Sequence, residues 1–421
     1  MTQTDSRPQS PRPYHELDIS SSQFWSQTFE ERERTFARLR ADGGVTWHPP
    51  LADGHPGGET GFWAVTRHED IVAVSRNHQV FSSAEGVSVT PLPKGLEQKT
   101  SFFLVMDPPD HMTFRRLISG AFTPKQIGRI KAQIQADARE IVRGLAGAGE
   151  IDFVAECSTQ LPMRTVSDMI GIAPEDRDAV RKAAEVLFAG PTEEDLSSGM
   201  DGMAFVERQV QVLREAAIEI ARERRRRPKD DLMTNIVQAE IGGRRLTDDE
   251  IGSFMVMIST AGNDTTKQTT SLTALTLARN PEQKRWLMAD LPSRIDRAVD
   301  EFVRHGSPVM NFARIAKVDT EIGGTTIRAG EKVALFYCSG NRDESVFDRP
   351  NEFVLSRSPN PHIGFGGGGI HFCLGHTVAK TQLSVLFSEL LTRVPDMEVG
   401  EPEWLPHRFV HGIKRLPVHV R

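Results

Sequence analysis

The pattern of hydrophobic and polar residues predicts a chain dominated by helices with a smaller strand-rich part. Residues 20–40 carry aromatic and aliphatic residues at helical spacing, and long helical periods run from Pro124 to about residue 290. Residues 62–66 and 317–340 predict short strands, and residues 408–421 predict a final pair of strands. Between Ser82 and Met106 no period is clear, so we expect a long loop, and long loops in compact domains are often functional.

The ends and the length of the chain shape the expected domain organisation. The first 18 residues are polar and proline-rich, which predicts a mobile tail at 1–18 and a single domain over 19–421. No apolar run reaches the roughly 18 residues that a membrane span needs, and no secretory segment follows Met1. We therefore expect no membrane anchor.

Charge and cysteine content narrow the possible partners and compartment. The net charge of −6 gives no reason to expect a nucleic-acid partner, and the basic run 224–229 fits the C-terminal end of a helix. Cys157, Cys338 and Cys373 are too few, and odd in number, for a disulfide framework, so a cytoplasmic location fits.

Candidate chemistry appears at Cys373, which lies in a glycine-rich loop before an apolar helical run. A lone thiolate is a strong axial ligand for haem iron, and glycines let the backbone approach a flat macrocycle closely. Backbone N–H groups of such a loop can also hydrogen-bond the sulfur. The alternative is a flexible linker followed by a buried structural cysteine.

This loop resembles the cysteine-ligand loop of the cytochrome P450 family, with Phe365, His371, Cys373 and Gly375 at the matching positions. Phe365 precedes Cys373 by one residue more than in the common family pattern. The extra glycine resembles the bacterial branch that oxidises sterol side chains and methyl-branched lipids. The resemblance covers about residues 20–421 and implies the cytochrome P450 fold, which is mainly α with a small β-rich subdomain.

A second matching motif runs from Ala261 to Thr265 in an apolar helix pattern that begins near Ile251. Glycine and threonine in this stretch favour a local bulge. The resemblance implies that Ala261 and Gly262 make room for oxygen, and that Asp264 and Thr265 are catalytic in oxygen activation and proton delivery. The alternative is a polar kink with an exposed Asp264.

A third motif places Glu301 and Arg304 on one helix face. Most such pairs are weak surface ion pairs. The resemblance instead implies a buried structural pair that holds the cysteine loop from behind. The usual third member is an arginine, but Glu352 occupies its place, which leaves Arg357 as a candidate.

A fourth motif pairs His111 with Arg115 at i and i+4, a spacing that suits a charge-assisted contact with a carboxylate. The resemblance implies that both bind a haem propionate, and that Arg314 and His371 do the same. The alternative for each is a surface charge.

The resemblance predicts a haem b monooxygenase that uses O2 to hydroxylate an unactivated C–H bond of a hydrophobic molecule such as a terpenoid, sterol or branched lipid. The Gly-x-Gly-x-x-Gly spacing at residues 364–369 belongs to the cysteine loop, and the chain has no dinucleotide-binding unit of that type. We therefore expect electrons from a ferredoxin and its ferredoxin reductase, with Arg116, Lys125 and Arg129 as docking candidates. A monomer is expected. The predicted substrate pocket is mostly apolar and consists of Val186, Leu187, Met257, Ile258, Ala261, Val309, Met310, Phe409 and Val410.

Three alternatives stay open at the level of the sequence. One is a haem-thiolate peroxygenase or isomerase, against which the Asp264-Thr265 pair argues. Another is a haem sensor without catalytic activity. The third is a cytochrome P450 of natural-product biosynthesis that acts on a polar macrocycle.

Overall fold

The computed structural model of the chain describes residues 12–51, 59–90, 94–121, 123–197, 199–240 and 242–421. The α-helices are α1 (Ser22–Trp25), α2 (Phe29–Ala41), α3 (His68–Arg76), α4 (Lys94–Ser101), α5 (Asp110–Ala121), α6 (Pro124–Leu145), α7 (Gln160–Ile170), α8 (Arg177–Ala189), α9 (Glu193–Leu196), α10 (Gly202–Arg226), α11 (Leu232–Gln238), α12 (Asp248–Arg279), α13 (Pro281–Met288), α14 (Leu291–Gly306), α15 (Tyr337–Gly340) and α16 (His376–Arg393). The strands are β1 (Val45–His48), β2 (Phe62–Val65), β3 (Phe81–Ser82), β4 (Gly149–Asp152), β5 (Asn311–Ala316), β6 (Thr320–Ile322), β7 (Thr325–Ile327), β8 (Lys332–Phe336), β9 (Glu398–Val399), β10 (Glu403–Trp404), β11 (Ile413–Arg415) and β12 (Pro417–Val420).

Both faces of the largest sheet are buried, which accounts for the many apolar residues in its strands. Its order is β1-β2-β8-β5-β3, with β2 and β8 parallel and the other neighbours antiparallel. Phe62 of β2 and Phe336 of β8 pack into a cluster with α1 and α2, whereas Val65 and Leu335 pack into a second cluster with α3. Since neighbouring strand residues point to opposite faces, both faces of this sheet are buried.

Helix α12 passes through the main helical core, where it packs against α7, α8, α10, α14 and α16. A capping box fixes its start, because the Thr247 hydroxyl accepts from the Glu250 N–H and the Glu250 carboxylate accepts from the Thr247 N–H. The helix is continuous from Asp248 to Arg279, so the predicted bulge is wrong. Thr265 donates its hydroxyl to the carbonyl of Ala261 one turn earlier without breaking the helix.

Three other secondary-structure predictions differ from the observed elements. The helix predicted over 20–40 is divided into α1 and α2, and a second capping box between Thr28 and Glu31 starts α2. The loop predicted over 82–106 contains α4 and a 3₁₀ turn at Phe102–Val105. The last two strands do not pair with each other, because β11 pairs with β10 and β12 lies between β4 and β9.

The predicted mobile tail is wrong for the part of it that the structure describes, residues 12–18. The Arg12 guanidinium lies 5.1 Å from the ring centroid of Trp47 and 4.6 Å from that of Trp63, and it pairs with Glu331. The His15 N–H donates to the Trp47 carbonyl at 2.8 Å. Residues 1–11 of the predicted tail lie outside the described residues. Among the described helices, none combines the length and apolar composition of a membrane span.

Candidate functional site

The loop before Cys373 needs its glycines for close packing between α3 and α14. A Cβ on Gly364 would lie 2.5 Å from the Val303 side chain, and one on Gly369 would collide with the carbonyl oxygen of Ser75. Gly369 also has a φ of +75°, which disfavours any other residue there. The Cys373 N–H donates to the Phe365 carbonyl at 3.0 Å and so closes the loop.

The thiol of Cys373 differs from the other two thiols of the chain in its access to open space. Cys373 is partly exposed just before α16, whereas Cys157 and Cys338 are buried. Burial raises the pKa of Cys373, and hydrogen bonds from the backbone of Gly375 and His376 lower it, as does the Arg115 charge. Burial raises the pKa of Cys338 to about 12. The Cys373 thiol is therefore the one arranged to bind a metal as a thiolate.

Two histidines near Cys373 have buried ring nitrogens without a hydrogen-bond partner. These are His111 of α5, which is fully buried, and His371 of the loop, which is partly exposed, with ring centroids 4.2 Å apart. Burial, followed by the charge of Arg115, lowers the pKa of His111 to about 4. Burial, followed by the charge of Arg314, lowers the pKa of His371 to about 2. Unpartnered buried donors of this kind are costly unless a ligand satisfies them.

The two predicted arginines complete what we call the donor cluster: His111, Arg115, Arg314 and His371. Arg314 on β5 is buried, and burial lowers its pKa. Arg115 donates to the carbonyl of Phe372 at 2.6 Å, which places its guanidinium beside the cysteine loop. The surface-charge alternative is wrong for Arg314 and His111, because both are buried. Two guanidinium groups and two imidazoles fit a pair of carboxylates such as the haem propionates.

Helix α12 brings Ala261 and Thr265 to an open side and Asp264 to a buried one. Ala261 is exposed although most of its helix is buried, and Thr265 lies one turn further along. Asp264 is buried, so the alternative of an exposed kink residue is wrong. Gly262 faces a different neighbour, because a Cβ there would lie 3.0 Å from the Val166 side chain. The glycine therefore accommodates the close approach of α7, and its predicted role of making room for oxygen stays a prediction.

The Asp264 carboxylate is only partly satisfied. Its Oδ1 lies 2.8 Å from the ammonium group of Lys267, and its Oδ2 has no partner. Burial raises its pKa, and the charge and hydrogen bond of Lys267 oppose that rise. A buried carboxyl group with a raised pKa and one unpaired oxygen is a candidate for proton transfer.

The buried pair behind the cysteine loop has the predicted structural arrangement. Glu301 and Arg304 are both fully buried, and the guanidinium donates to both carboxylate oxygens at 2.7 Å. Its other N–H groups donate to the carbonyls of Asn341, Pro350 and Glu352. All five donors of Arg304 are thus used.

Arg357 is the third partner of this pair, since its Nε lies 3.2 Å from a Glu301 oxygen. Asn360 and the Val354 N–H also donate to Glu301. Asn341 was missed from the sequence although its side chain accepts from the Ile363 N–H, directly before the glycine loop. No spacing in the sequence signals Asn341 or Asn360.

The predicted pocket residues separate into two groups. Partly exposed apolar side chains occur at Val186, Leu187, Met257, Ile258, Val309 and Phe409. Met310 and Val410 are almost fully buried, and the Met310 sulfur lies 3.3 Å from Arg32. These two residues are the most buried of the predicted pocket lining.

Comparisons with known proteins agree with this geometry. A family model described as Cytochrome P450 matches residues 197–394. The chain is 36% identical to a methyl-branched lipid omega-hydroxylase of Mycobacterium tuberculosis, over 99% of this chain and 97% of that protein. It is 34% identical to a steroid C26-monooxygenase of Mycolicibacterium smegmatis, over 86% and 84% of the two chains. The structure of a Mycobacterium marinum cytochrome P450 in complex with pseudoionone superposes with a TM-score of 0.91 at 47% identity, covering 97% of this chain and 99% of that one.

Proposed function

The chain belongs to the cytochrome P450 family, and on this basis we propose that it hydroxylates the terminal carbon of a methyl-branched apolar chain, with Cys373 as the ligand of its haem iron. Members of this family bind haem b through a cysteine thiolate, so haem b is the cofactor and the protein is a haem-thiolate monooxygenase. When bound, the haem supplies the centre at which O2 is activated with two electrons and two protons.

The observation that carries the haem assignment is the donor cluster beside a partly exposed thiol. The four ring nitrogens of its two histidines have no hydrogen-bond partner in the protein. His371 lies two residues before Cys373, and the ring of His111 lies 4.2 Å from that of His371. Arg115 contacts the same loop at the carbonyl of Phe372. Propionates would accept from Arg115, Arg314 and the two imidazoles, and would end the cost of burying them unpaired. The N–H groups of Gly375 and His376 would hold the sulfur as a thiolate.

On the opposite side, we assign Asp264 and Thr265 to proton delivery. The Thr265 hydroxyl lies on the open side of α12 and donates its hydrogen to the Ala261 carbonyl at 2.9 Å, so its oxygen is left to accept a hydrogen bond on that side. Asp264 lies on the buried side, and its free Oδ2 can take up a proton from outside and pass it on. The two residues would thereby move protons inward while the buried helix faces exclude bulk water.

The proposed substrate class rests on an apolar lining and on the relatives. Leu187, Met257 and Ile258 lie partly buried around the open side of α12, and methionine adapts its shape to irregular apolar ligands. The names of the relatives, methyl-branched lipid omega-hydroxylase and steroid C26-monooxygenase, support a hydrophobic substrate. Terminal C–H bonds are stronger than mid-chain ones, so the pocket must hold the chain end-on for orientation to outweigh reactivity.

Product analysis tests the proposal. The holoenzyme, supplied with ferredoxin, ferredoxin reductase and O2, should convert a methyl-branched fatty acid mainly to the terminal alcohol, with an unbranched acid of equal length as the control. Oxidation mainly at mid-chain or ring carbons, or spectral binding of polar macrocycles only, would refute the substrate class. Equal turnover with hydrogen peroxide alone would instead indicate a peroxygenase.

The ligand assignment has its own test. Cys373→Ala should lose the red-shifted absorption of the ferrous carbonyl form that thiolate ligation gives, while Cys157→Ala and Cys338→Ala should keep it. A thiolate band that persists without Cys373 would move the ligand to one of the two buried cysteines.

We further propose that a ferredoxin docks near Arg116. Lys125 and Arg129 are less suitable than expected, since both lie close to Asp230, at 2.8 Å and 3.7 Å. Arg116 is exposed and donates only to the main-chain carbonyl of Met112 among the described contacts. It therefore offers the least neutralised charge of the three to an acidic partner.

A further inference from the structure

A small cavity lies between α12 and α8 on the buried side of Asp264, away from the donor cluster. Its lining includes Thr159 and Met163 together with four charged residues, Arg181, Glu185, Asp264 and Lys267. The Asp264 side chain is 3% exposed, and a charge so deeply buried interacts more strongly with its neighbours than an exposed one does.

The charged residues form a continuous series from the buried carboxylate to the surface. Lys267 lies 2.8 Å from Asp264 and 4.0 Å from Glu185, and Arg181 lies 2.6 Å from Glu185. Arg181 in turn lies 2.6 Å from Asp178. The exposure of the carboxylate side chains rises along the series, from 3% at Asp264 to 34% at Glu185 and 63% at Asp178.

Two neighbours act on Asp264 in opposite directions. Lys267 stabilises its charged form through charge and a hydrogen bond, whereas Glu185 disfavours that form. Arg181 faces Glu185, and the residues that line the cavity from the α7 side, Thr159 and Met163, carry no charge. Burial raises the pKa of Asp264 most, and among the titratable groups on the described elements around it, Lys267 and Glu185 are the two that act on it.

We propose that Lys267 and Glu185 are opposed positioning residues that control whether Asp264 holds a proton. This proposal rests on the proposed role of Asp264 in proton delivery.

The experiment follows the Asp264 carboxyl group itself. In the haem-loaded protein, the carboxylic acid band lost in Asp264→Asn identifies the group by infrared difference spectroscopy, and its intensity is recorded against pH. Lys267→Met should move the titration midpoint upward, because a stabilising positive charge is lost. Glu185→Gln should move it downward, because a repelling negative charge is lost.

Three control variants separate charge from packing. Lys267→Arg keeps the positive charge and should leave the midpoint near that of the parent protein. Lys182→Met removes an exposed lysine of α8 that pairs with Asp178, and Glu175→Gln removes an exposed carboxylate before α8. Neither of these two should shift the band.

Turnover gives a second readout with the branched acid as substrate. The pH at which product formed per reductant consumed is highest should shift in the same direction as the infrared midpoint in each variant. Shifts of equal sign in Lys267→Met and Glu185→Gln, or none in either, would overturn the inference. If Asp264→Asn left product yield unchanged, the proposed role of Asp264 would fail instead, whatever the titration showed.

Discussion

Two groups of polar side chains flank the cysteine loop, and they differ in how completely their hydrogen bonds are made. Behind the loop, Glu301 and Arg304 are fully buried and every guanidinium donor has an acceptor. In front of it, His111 and His371 have buried ring nitrogens, none of which has a partner. The first group is complete within the protein, and the second is complete only with a ligand.

This difference distinguishes a structural charge from a functional one better than burial does. A buried ion pair with all partners present mainly fixes the position of the segments it joins, here the chain around Asn341 and Val354. A buried donor without a partner reduces stability and so marks a site that another group occupies. Asp264 lies between the two cases, with one oxygen paired and the other free.

Removing one member of the complete pair should have the largest effect. Glu301→Gln leaves Arg304 buried and unpaired, so we expect a loss of about 3–5 kcal/mol in the free energy of unfolding. Urea denaturation measures the loss. Glu352→Gln, at an exposed carboxylate nearby, should change it by less than about 0.5 kcal/mol. Equal unfolding midpoints for the two variants would contradict the comparison.

The donor cluster should respond with the opposite sign. His371→Phe removes an unpartnered imidazole, so the haem-free protein should be as stable as the parent or more stable, while haem affinity falls about tenfold or more, the effect of one charge-assisted hydrogen bond. Haem transfer to an acceptor protein measures the affinity. A destabilised haem-free protein with unchanged haem affinity would show that His371 is structural.

Lowering the pH should reduce the unfolding free energy of the haem-free protein through the buried His111. The ordinary pKa of an imidazole is near 6.5, and burial lowers the pKa of His111 to about 4. Between these two pH values the buried imidazole is therefore neutral. Its contribution to stability is therefore complete above about pH 6.5 and is lost as pH falls toward 4, where the unfolded state binds more protons. Unfolding free energies measured across this range should fall more steeply in the parent than in His111→Phe. Equal slopes would mean that His111 takes up its proton equally in the folded and unfolded states.

Thr265 tests the open side of α12 with little effect on stability. Its hydroxyl bonds only within its own helix in the described contacts, so Thr265→Ala should change the unfolding free energy by less than about 0.5 kcal/mol. The variant should still bind haem and substrate, but it should release more hydrogen peroxide per reductant consumed, because protons arrive poorly. Stoichiometry identical to that of the parent would argue against the proton role.

Charge changes at the proposed docking surface near Arg116 should give the smallest effect, a slower reduction by ferredoxin. Reduction by ferredoxin should slow as salt rises, since the Debye length falls from about 10 Å at 0.1 M to about 3 Å at 1 M. Arg116→Glu should slow it at low salt, whereas Lys125→Glu should do less because Asp230 already neutralises that lysine. Reduction rates that depend neither on salt nor on Arg116 would remove this face from consideration.

The sequence alone determined the features that depend on local spacing. The glycines around Cys373, the i and i+3 pair of Glu301 and Arg304, and the i and i+4 pair of His111 and Arg115 are close along the chain, so backbone geometry brings each set together. The alternating strands and periodic helices follow from the same short-range rules. These features were sufficient to recognise the family and its cofactor.

Tertiary structure alone decided which distant residues meet. Arg357 completes the Glu301 pair, Val166 explains the glycine at position 262, and Glu185 approaches Lys267 from another helix. The Met310 sulfur likewise contacts Arg32, a residue far from it in the sequence. Each of these contacts joins segments far apart in the chain, and their pairing depends on how whole helices and strands pack, which no local spacing encodes.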